Sequence, residues 1–209
     1  MGLKPLISYP IHLAKSIEEI DRVIVTTDDK EIAKIAKENG AEVPFIRPVE
    51  LADDETPTLP VLQHCVKYLE EKENYKADLI LLLFPTCPFL KKETVLKAIN
   101  ILKEGKCNSV MSVEEDWGRF WKQDKDSIIP FYPKNYVNRQ FYKPLLKENG
   151  AIYFSKYEVI MRKKDDTRLV DVNSLKYIIM NPDEIVDIDT PFDWKKAEER
   201  IKNERLTMD

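Results

Sequence analysis

The chain has 209 residues, 43% apolar and 33% charged, with a net charge of −4 at neutral pH; this suits one α/β domain with a small appendage and argues against a nucleic-acid partner. Its longest apolar run, Leu79 to Phe84, is far too short to span a bilayer, and no signal peptide is visible where Lys4-Pro5 leads into a helix-like segment. The cysteines Cys65, Cys87 and Cys107 are odd in number and lack metal-type spacing, so they read as reduced thiols of a cytoplasmic protein.

Pro5 to Ile17 has a helical apolar stripe in Leu6, Ile7, Ile11 and Ala14, with Pro10 expected to kink or delay it. Arg22 to Thr27 is a β-branched strand. Asp28 or Asp29 caps the next helix, Glu31 to Glu38, which Asn39-Gly40 closes. Glu42 to Phe45 reads as a second strand. A polar loop from Arg47 to Thr58 leads to a helix over Leu59 to Lys72. Leu79 to Phe84 reads as the most buried strand, running into Pro85-Thr86-Cys87-Pro88. Lys92 to Glu104 is an amphipathic helix with Val95, Ile99 and Leu102 inward, and Ser109 to Val113 is another strand.

From Trp117 to Lys147 the alternation stops. Eight aromatics and three prolines fall there without clean periodicity, too apolar for a disordered linker. We read 117–147 as an inserted arm that buries its rings on a second subunit, with folding back on its own domain as the alternative. Asn149 to Phe154 returns to the sheet, Leu175 to Met180 and Glu184 to Ile188 are the last strands, and Pro191 to Lys202 is the closing helix. Alternating strands and helices predict an α/β fold, a three-layer, Rossmann-like, mostly parallel sheet. Ligands in such sheets bind beyond the strands' carboxyl ends. Those ends carry Thr26-Thr27-Asp28, Arg47, Pro85 to Pro88, Glu114-Glu115 and Asp187-Ile188-Asp189.

Asp187 and Asp189 alternate along their strand, so both point to one side, roughly 7 Å apart at the Cα atoms. Two carboxylates so placed repel each other, and a hard cation relieves the repulsion. Magnesium is commonly held by one or two carboxylates plus substrate phosphates. A solvated acidic strand end is the plainer reading of the same pair.

Six segments, taken together and in order, resemble the acylneuraminate cytidylyltransferase family, the CMP-sialic acid synthetases and their relatives. They are Arg22 to Asp28, Arg47 to Asp53, Leu83 to Pro88, Arg139-Gln140, Asn149 to Tyr153 and Asp187 to Pro191. The resemblance implies a nucleotide-diphospho-sugar transferase fold and a homodimer swapped through the arm. It implies that a 2-keto sugar acid attacks the α-phosphate of CTP, in the presence of magnesium, to give CMP-sugar and pyrophosphate. By the same resemblance Arg47 and Thr58 contact the cytosine, and Lys122, Arg139, Gln140, Asn149 and Tyr153 contact the sugar. Asp187 and Asp189 hold the metal. Guanidinium and ammonium groups suit a sugar that carries a carboxylate. Read without the resemblance, Arg47 caps its strand, Thr58 caps a helix, Lys122 and Arg139 are solvated, and Asn149-Gly150 is a turn.

The family opens with a strand and a phosphate loop rich in Gly, Arg, Ser and Lys. Here Met1 to Ile7 matches the segment just after that loop, so 1–209 reads as one nucleotidyltransferase-like domain truncated at its N-terminus. None of the glycines, Gly2, Gly40, Gly105, Gly118 and Gly150, forms a phosphate-binding cluster. The expectation is therefore little or no turnover by this chain alone, from a late start, from a truncated gene, or because it is a non-catalytic nucleotide- or sugar-binding relative. Loss of a central strand would also leave unpaired sheet edges. Phe84 stands where the family carries glutamine and Cys87 where it carries serine. The family's aromatic pair is not evident near Thr167-Arg168-Leu169. The identity of the sugar, or a different nucleotidyl acceptor, is left open.

Overall fold

Strand β1 (Leu79–Leu82) lies at the edge of a four-stranded sheet rather than at its centre. The computed structural model describes residues 4–132, 143–162 and 166–206. The other strands of the sheet are β2 (Ser109–Asp116), β5 (Leu145–Lys156) and β6 (Leu175–Ile179), in the order β1-β5-β2-β6. Between β2 and β5 in the chain lie β3 (Trp121–Asp124) and β4 (Ser127–Pro130), which form a separate hairpin. β1, β2 and β6 run in one direction; β5 is antiparallel to both of its neighbours. The expected α/β Rossmann-like sheet is therefore present, with β5 as its reversed member.

The β2–β5 pair is the centre of the core. At its start Ser109 and Ser155 face each other, fully buried, with their hydroxyls 2.7 Å apart. Each is satisfied further: Ser155 donates to the Leu169 carbonyl and Ser109 accepts from the Asp171 amide. Helix α4 (Lys92–Lys103) lays the predicted Val95, Ile99 and Leu102, with Ala98, against Val110, Ile152 and Phe154. The three-to-four residue spacing of those apolar positions is what directs one face of α4 onto the sheet.

Two expected strands are not formed as ladders. Arg22 to Thr27 and Glu42 to Phe45 meet only in one parallel bridge, Ile24 with Glu42. Val25 donates to Glu42, Glu42 to Val23, and Arg47 to Thr27, at 2.8–2.9 Å. Regular strands grow by ladder pairing, and among the described residues no ladder forms on either side of this pair. β1 shows the same deficit. All four of its residues are half-buried, not the most buried described, because among the described residues its one ladder is to β5. An apolar run reports a wish to be covered; the pairing decides how far that happens.

Helix α1 (Ser8–Lys15) starts later than its stripe suggested, after a turn in which Ser8 donates to the Pro5 carbonyl. Pro10 is its third residue. Its missing N–H falls among first-turn donors that have no intrahelical partner, so the helix is not broken there. Helix α2 (Lys30–Glu38) is capped by Asp29, whose carboxylate accepts from the Glu31 and Ile32 amides at 2.6 and 2.9 Å. Gly40 follows at φ +91°, the left-handed conformation that closes helices. Helix α3 (Thr58–Glu73) has Pro57 at its N-cap, so Thr58 is the first helical residue and not the cap. A short α5 (Tyr157–Ile160) follows β5, and α6 (Pro191–Leu206) ends the described chain.

Part of the 117–147 segment, expected as an arm, lies among the described residues. The β3–β4 hairpin is exposed at every position, and Phe120, Trp121, Ile128, Ile129 and Phe131 lie on the surface. β2 and β5 extend into its base, so 145–147, expected in the arm, belong to the sheet. Leu102 is 2% exposed at the centre of the α4 contact. Leu102→Ala is expected to cost about 2–5 kcal/mol, read as a lower urea midpoint at unchanged denaturant slope.

Candidate active site

The site is made by a fault in the central ladder. Met111 pairs with Tyr153 and Val113 with Glu148, so one β2 residue, Ser112, faces the four residues from Asn149 to Ile152. Gly150 sits there at φ +72°, where a side chain would be strained. Ser112 holds the bulge shut: its hydroxyl donates to Asn149 Oδ1 at 2.6 Å and accepts from the Ile152 amide at 2.9 Å. Asn149 Oδ1 also accepts from the Ala151 amide at 3.3 Å, and its Nδ2 faces the Met180 sulfur. The amide of Asn149 is thus engaged in shaping the bulge. Bulges of this kind re-aim side chains beside active sites.

Two chain segments converge on the bulge. The Pro85–Pro88 loop continues from the carboxyl end of β1 and brings Cys87 Sγ to 4.0 Å from the Asn149 carbonyl. Beside it runs 184–189, of which Glu184 to Ile188 reads as a strand in the sequence but is extended without a ladder after a turn at 182–184. It is joined to the loop by one backbone bond, Ile188 N–H to the Thr86 carbonyl at 3.0 Å. Val186 and Ile188 pack under α6 with Ala197 and Ile201. Asp187 Oδ1 then lies 4.0 Å from Cys87 Sγ, and a Cβ on Gly150 would sit 3.9 Å from Asp187 Oδ2. Asp187 and Asp189 are both exposed. Directly after them Thr190 and Asp193 cap α6 reciprocally: the Asp193 carboxylate accepts from the Thr190 amide, and the Thr190 hydroxyl accepts from the Asp193 amide. The Thr190 hydroxyl also donates to the Asp193 carboxylate, and that bond above all holds the carboxyl below the usual carboxylate range.

The predicted residues divide into groups. Asn149, Tyr153 and Asp187 come together around Cys87, with Asp189 two residues on. Tyr153 is edge-on to Phe84, ring centroids 6.1 Å apart, and its phenol donates to the Glu148 carboxylate. Burial, then that bond to an anion, pushes the phenol well above its ordinary range. Burial and the nearby Asp187 push the Cys87 thiol up to about 11. Arg47 donates to Asp28 at 3.1 Å and holds that carboxyl below its usual range. Its Nε is buried without a hydrogen-bond partner. Thr58 opens α3 behind the loop that carries Arg47. Lys122 is on the exposed hairpin, paired across it with Ile129, and is not brought to Asp187. Arg139 and Gln140 lie outside the described residues. Sequence reasoning missed Asp28 and Glu148 as partners; both are polar groups at the edges of the six segments, but only the fold shows what they bind.

No group of three or more His, Cys, Asp or Glu suited to a metal occurs among the described residues. Two exposed carboxylates without a third protein ligand fit an ion that takes the rest of its shell from phosphate and water, as magnesium does. They do not fit a fully protein-ligated metal.

A mixed sheet with polar groups beyond the carboxyl end of β1 and at the β2–β5 bulge defines a nucleotide-binding type of α/β protein. The whole-chain comparison makes this specific. The cytidylyltransferase family model matches residues 1–207, and the chain belongs to that family. It is 30% identical over 210 residues to a CMP-N,N'-diacetyllegionaminic acid synthase of Legionella pneumophila, covering 95% of this chain and 86% of that one. It is also 30% identical over 203 residues to an N-acylneuraminate cytidylyltransferase A of Danio rerio, of which it spans only 45%. Among solved structures, a CMP:2-keto-3-deoxy-manno-octonic acid synthetase complexed with CTP superposes with a TM-score of 0.65 at 14% identity, covering 96% of this chain and 89% of that one. That last likeness establishes shared architecture.

At neutral pH the Cys87 thiol is expected to stay protonated and to alkylate slowly with iodoacetamide, followed by peptide mapping. The onset should approach pH 11. Asp187→Asn should move it down, because a like charge is removed, while burial keeps it above a free thiol's.

Proposed function

We propose that this chain transfers the cytidylyl group of CTP to a sialic-acid-like 2-keto sugar acid. The oxygen of the sugar's anomeric hydroxyl forms the new bond to the α-phosphorus and its proton is lost to solvent, the bond to the bridging oxygen breaks, and pyrophosphate leaves. One observation carries the reading: Asp187 is held against Cys87 and the Asn149-Gly150 bulge, at the carboxyl end of β1. Membership of the cytidylyltransferase family over residues 1–207 supports it.

Within that reading each residue has a role. Asp187 and Asp189 hold magnesium, which when bound neutralises charge on the triphosphate. Arg47 donates to the cytosine carbonyl, its otherwise unpartnered Nε being available for a ligand acceptor. Thr58 borders the base from the start of α3. Tyr153 borders the sugar, with Asn149 shaping the bulge below it. Lys122, Arg139 and Gln140 offer polar and cationic groups to the sugar carboxylate from the arm. Phe84 presents an aromatic edge instead of a hydrogen-bonding group, which favours a sugar with an apolar side at that point. The 30% identity to a relative named for a legionaminic acid supports such a sugar.

The exposed apolar hairpin supports a homodimer through the 117–147 arm. No helix among the described residues is long and apolar enough to cross a membrane, and three unpaired cysteines suit a reducing, cytoplasmic setting. One observation favours the second reading, a non-catalytic binding relative. Gly40 and Gly105 follow helix ends, Gly118 precedes the hairpin and Gly150 is in the bulge, so no described glycine forms a phosphate cradle.

Pyrophosphate release with CTP and a panel of 2-keto sugar acids decides between the two. Under the first reading release depends on a divalent ion, and Asp189→Ala lowers it by at least about 100-fold with an unchanged circular dichroism spectrum. Wild-type release by that variant rejects the metal role of Asp189, and no release by the parent chain favours the second reading. Light scattering should give a dimer, and Trp121→Lys with Ile129→Lys should give a monomer of unchanged thermal midpoint; a monomeric parent rejects the arm's role.

A further inference from the structure

Glu184 is the most deeply buried charged residue described, 1% exposed. It lies three residues before Asp187. Both of its carboxylate oxygens are used. Oε2 accepts from the Lys91 amide at 3.1 Å; Oε1 accepts from the Thr94 hydroxyl at 2.9 Å and from Asn181 Nδ2 at 3.1 Å. Lys91 is the N-cap of α4, and its own side chain makes no capping bond. A carboxylate from about ninety residues away in sequence therefore caps that helix, where free N–H groups and the helix dipole favour an anion.

The position of this contact matters more than its existence. The 184–189 segment has no ladder to hold it. It is tied to the 86–94 stretch by Glu184 at one end and by the Ile188–Thr86 backbone bond at the other. Asp187 stands between these ties, and Asp183 beside them pairs with Lys91. Apolar packing of Val186 and Ile188 under α6 fixes depth but not register, since burial is not directional. Hydrogen bonds to two fixed groups of a rigid helix do set register.

We propose that Glu184 is a positioning residue for the Asp187/Asp189 pair: it clamps the 184–189 segment to the first turn of α4 and so sets where the two carboxylates meet a divalent ion. This rests on the metal role given to that pair under the proposed function. The clamp explains how two exposed acids on an unladdered segment keep one geometry.

The test reads metal binding apart from turnover. Mn2+ alone is titrated into the protein, and free ion is followed by electron paramagnetic resonance. In Glu184→Gln one oxygen acceptor becomes an NH2 donor facing donors, so the clamp loosens while size is kept. Mn2+ affinity should fall by about 10–100-fold, as expected for a group that orients metal ligands. Amide hydrogen exchange at Val186 and Ile188 should also quicken. Thr94→Val, milder and isosteric, should move both readouts the same way, and Thr94→Ser should restore them. Val95→Ala, which loosens the buried face of α4 but leaves the clamp, should lose thermal stability and keep its Mn2+ affinity. Wild-type affinity in Glu184→Gln and Thr94→Val, or an equal loss in Val95→Ala, overturns the proposal. A parent protein that takes up no Mn2+ overturns the metal reading itself and the proposal with it.

Discussion

The antiparallel pairing of β2 with β5 is the constraint on which the rest of this protein depends. It seats α4, carries the buried Ser109–Ser155 pair at one end, and is interrupted by the Asn149–Ile152 bulge toward the other. A ladder tolerates extra residues only if their polar groups find partners elsewhere. Ser112 supplies those partners with a single hydroxyl, and Asn149 supplies the rest. The left-handed Gly150 lets the backbone turn beside Asp187. The site is therefore less a pocket added to the sheet than a consequence of how one hydroxyl and one amide stabilise a break in it.

Electrostatics around that break are arranged in layers. Asp187 and Asp189 are exposed. Behind them a thiol is held protonated by burial and by Asp187, and a phenol donates to Glu148. Neither group is set to act as a neutral-pH base. This agrees with a reaction in which positioning and charge neutralisation carry most of the rate. On the other flank, Arg47 is held ready by Asp28, an exposed pair of modest energetic value but with definite geometry.

The two flanks are not joined by a described ladder. Val23–Thr27 bridges only to Glu42, and β1 pairs only with β5. The residues assigned to the base and those assigned to metal and sugar thus sit on separately braced parts of one fold. The aliphatic cluster around Ile11, Ala36 and Val43 braces the first, and the α4 cluster braces the second.

What the sequence determined was local. The capping of α2 by Asp29 and Gly40, the inward face of α4, the Thr190-Pro191 start of α6 and the order of polar strand ends all follow from short-range rules, because their causes lie within a few residues. Tertiary structure alone decided the rest. The edge position of β1, the reduction of two expected strands to one bridge, and the unladdered state of 184–189 depend on which backbone groups find distant partners. So do the inward turn of Asn149 and the capping of α4 by Glu184, whose hydrogen bonds join residues 37 and about 90 positions apart. No periodicity records such a partner, since composition shows what a side chain can bond, and only the folded chain shows what is within its reach.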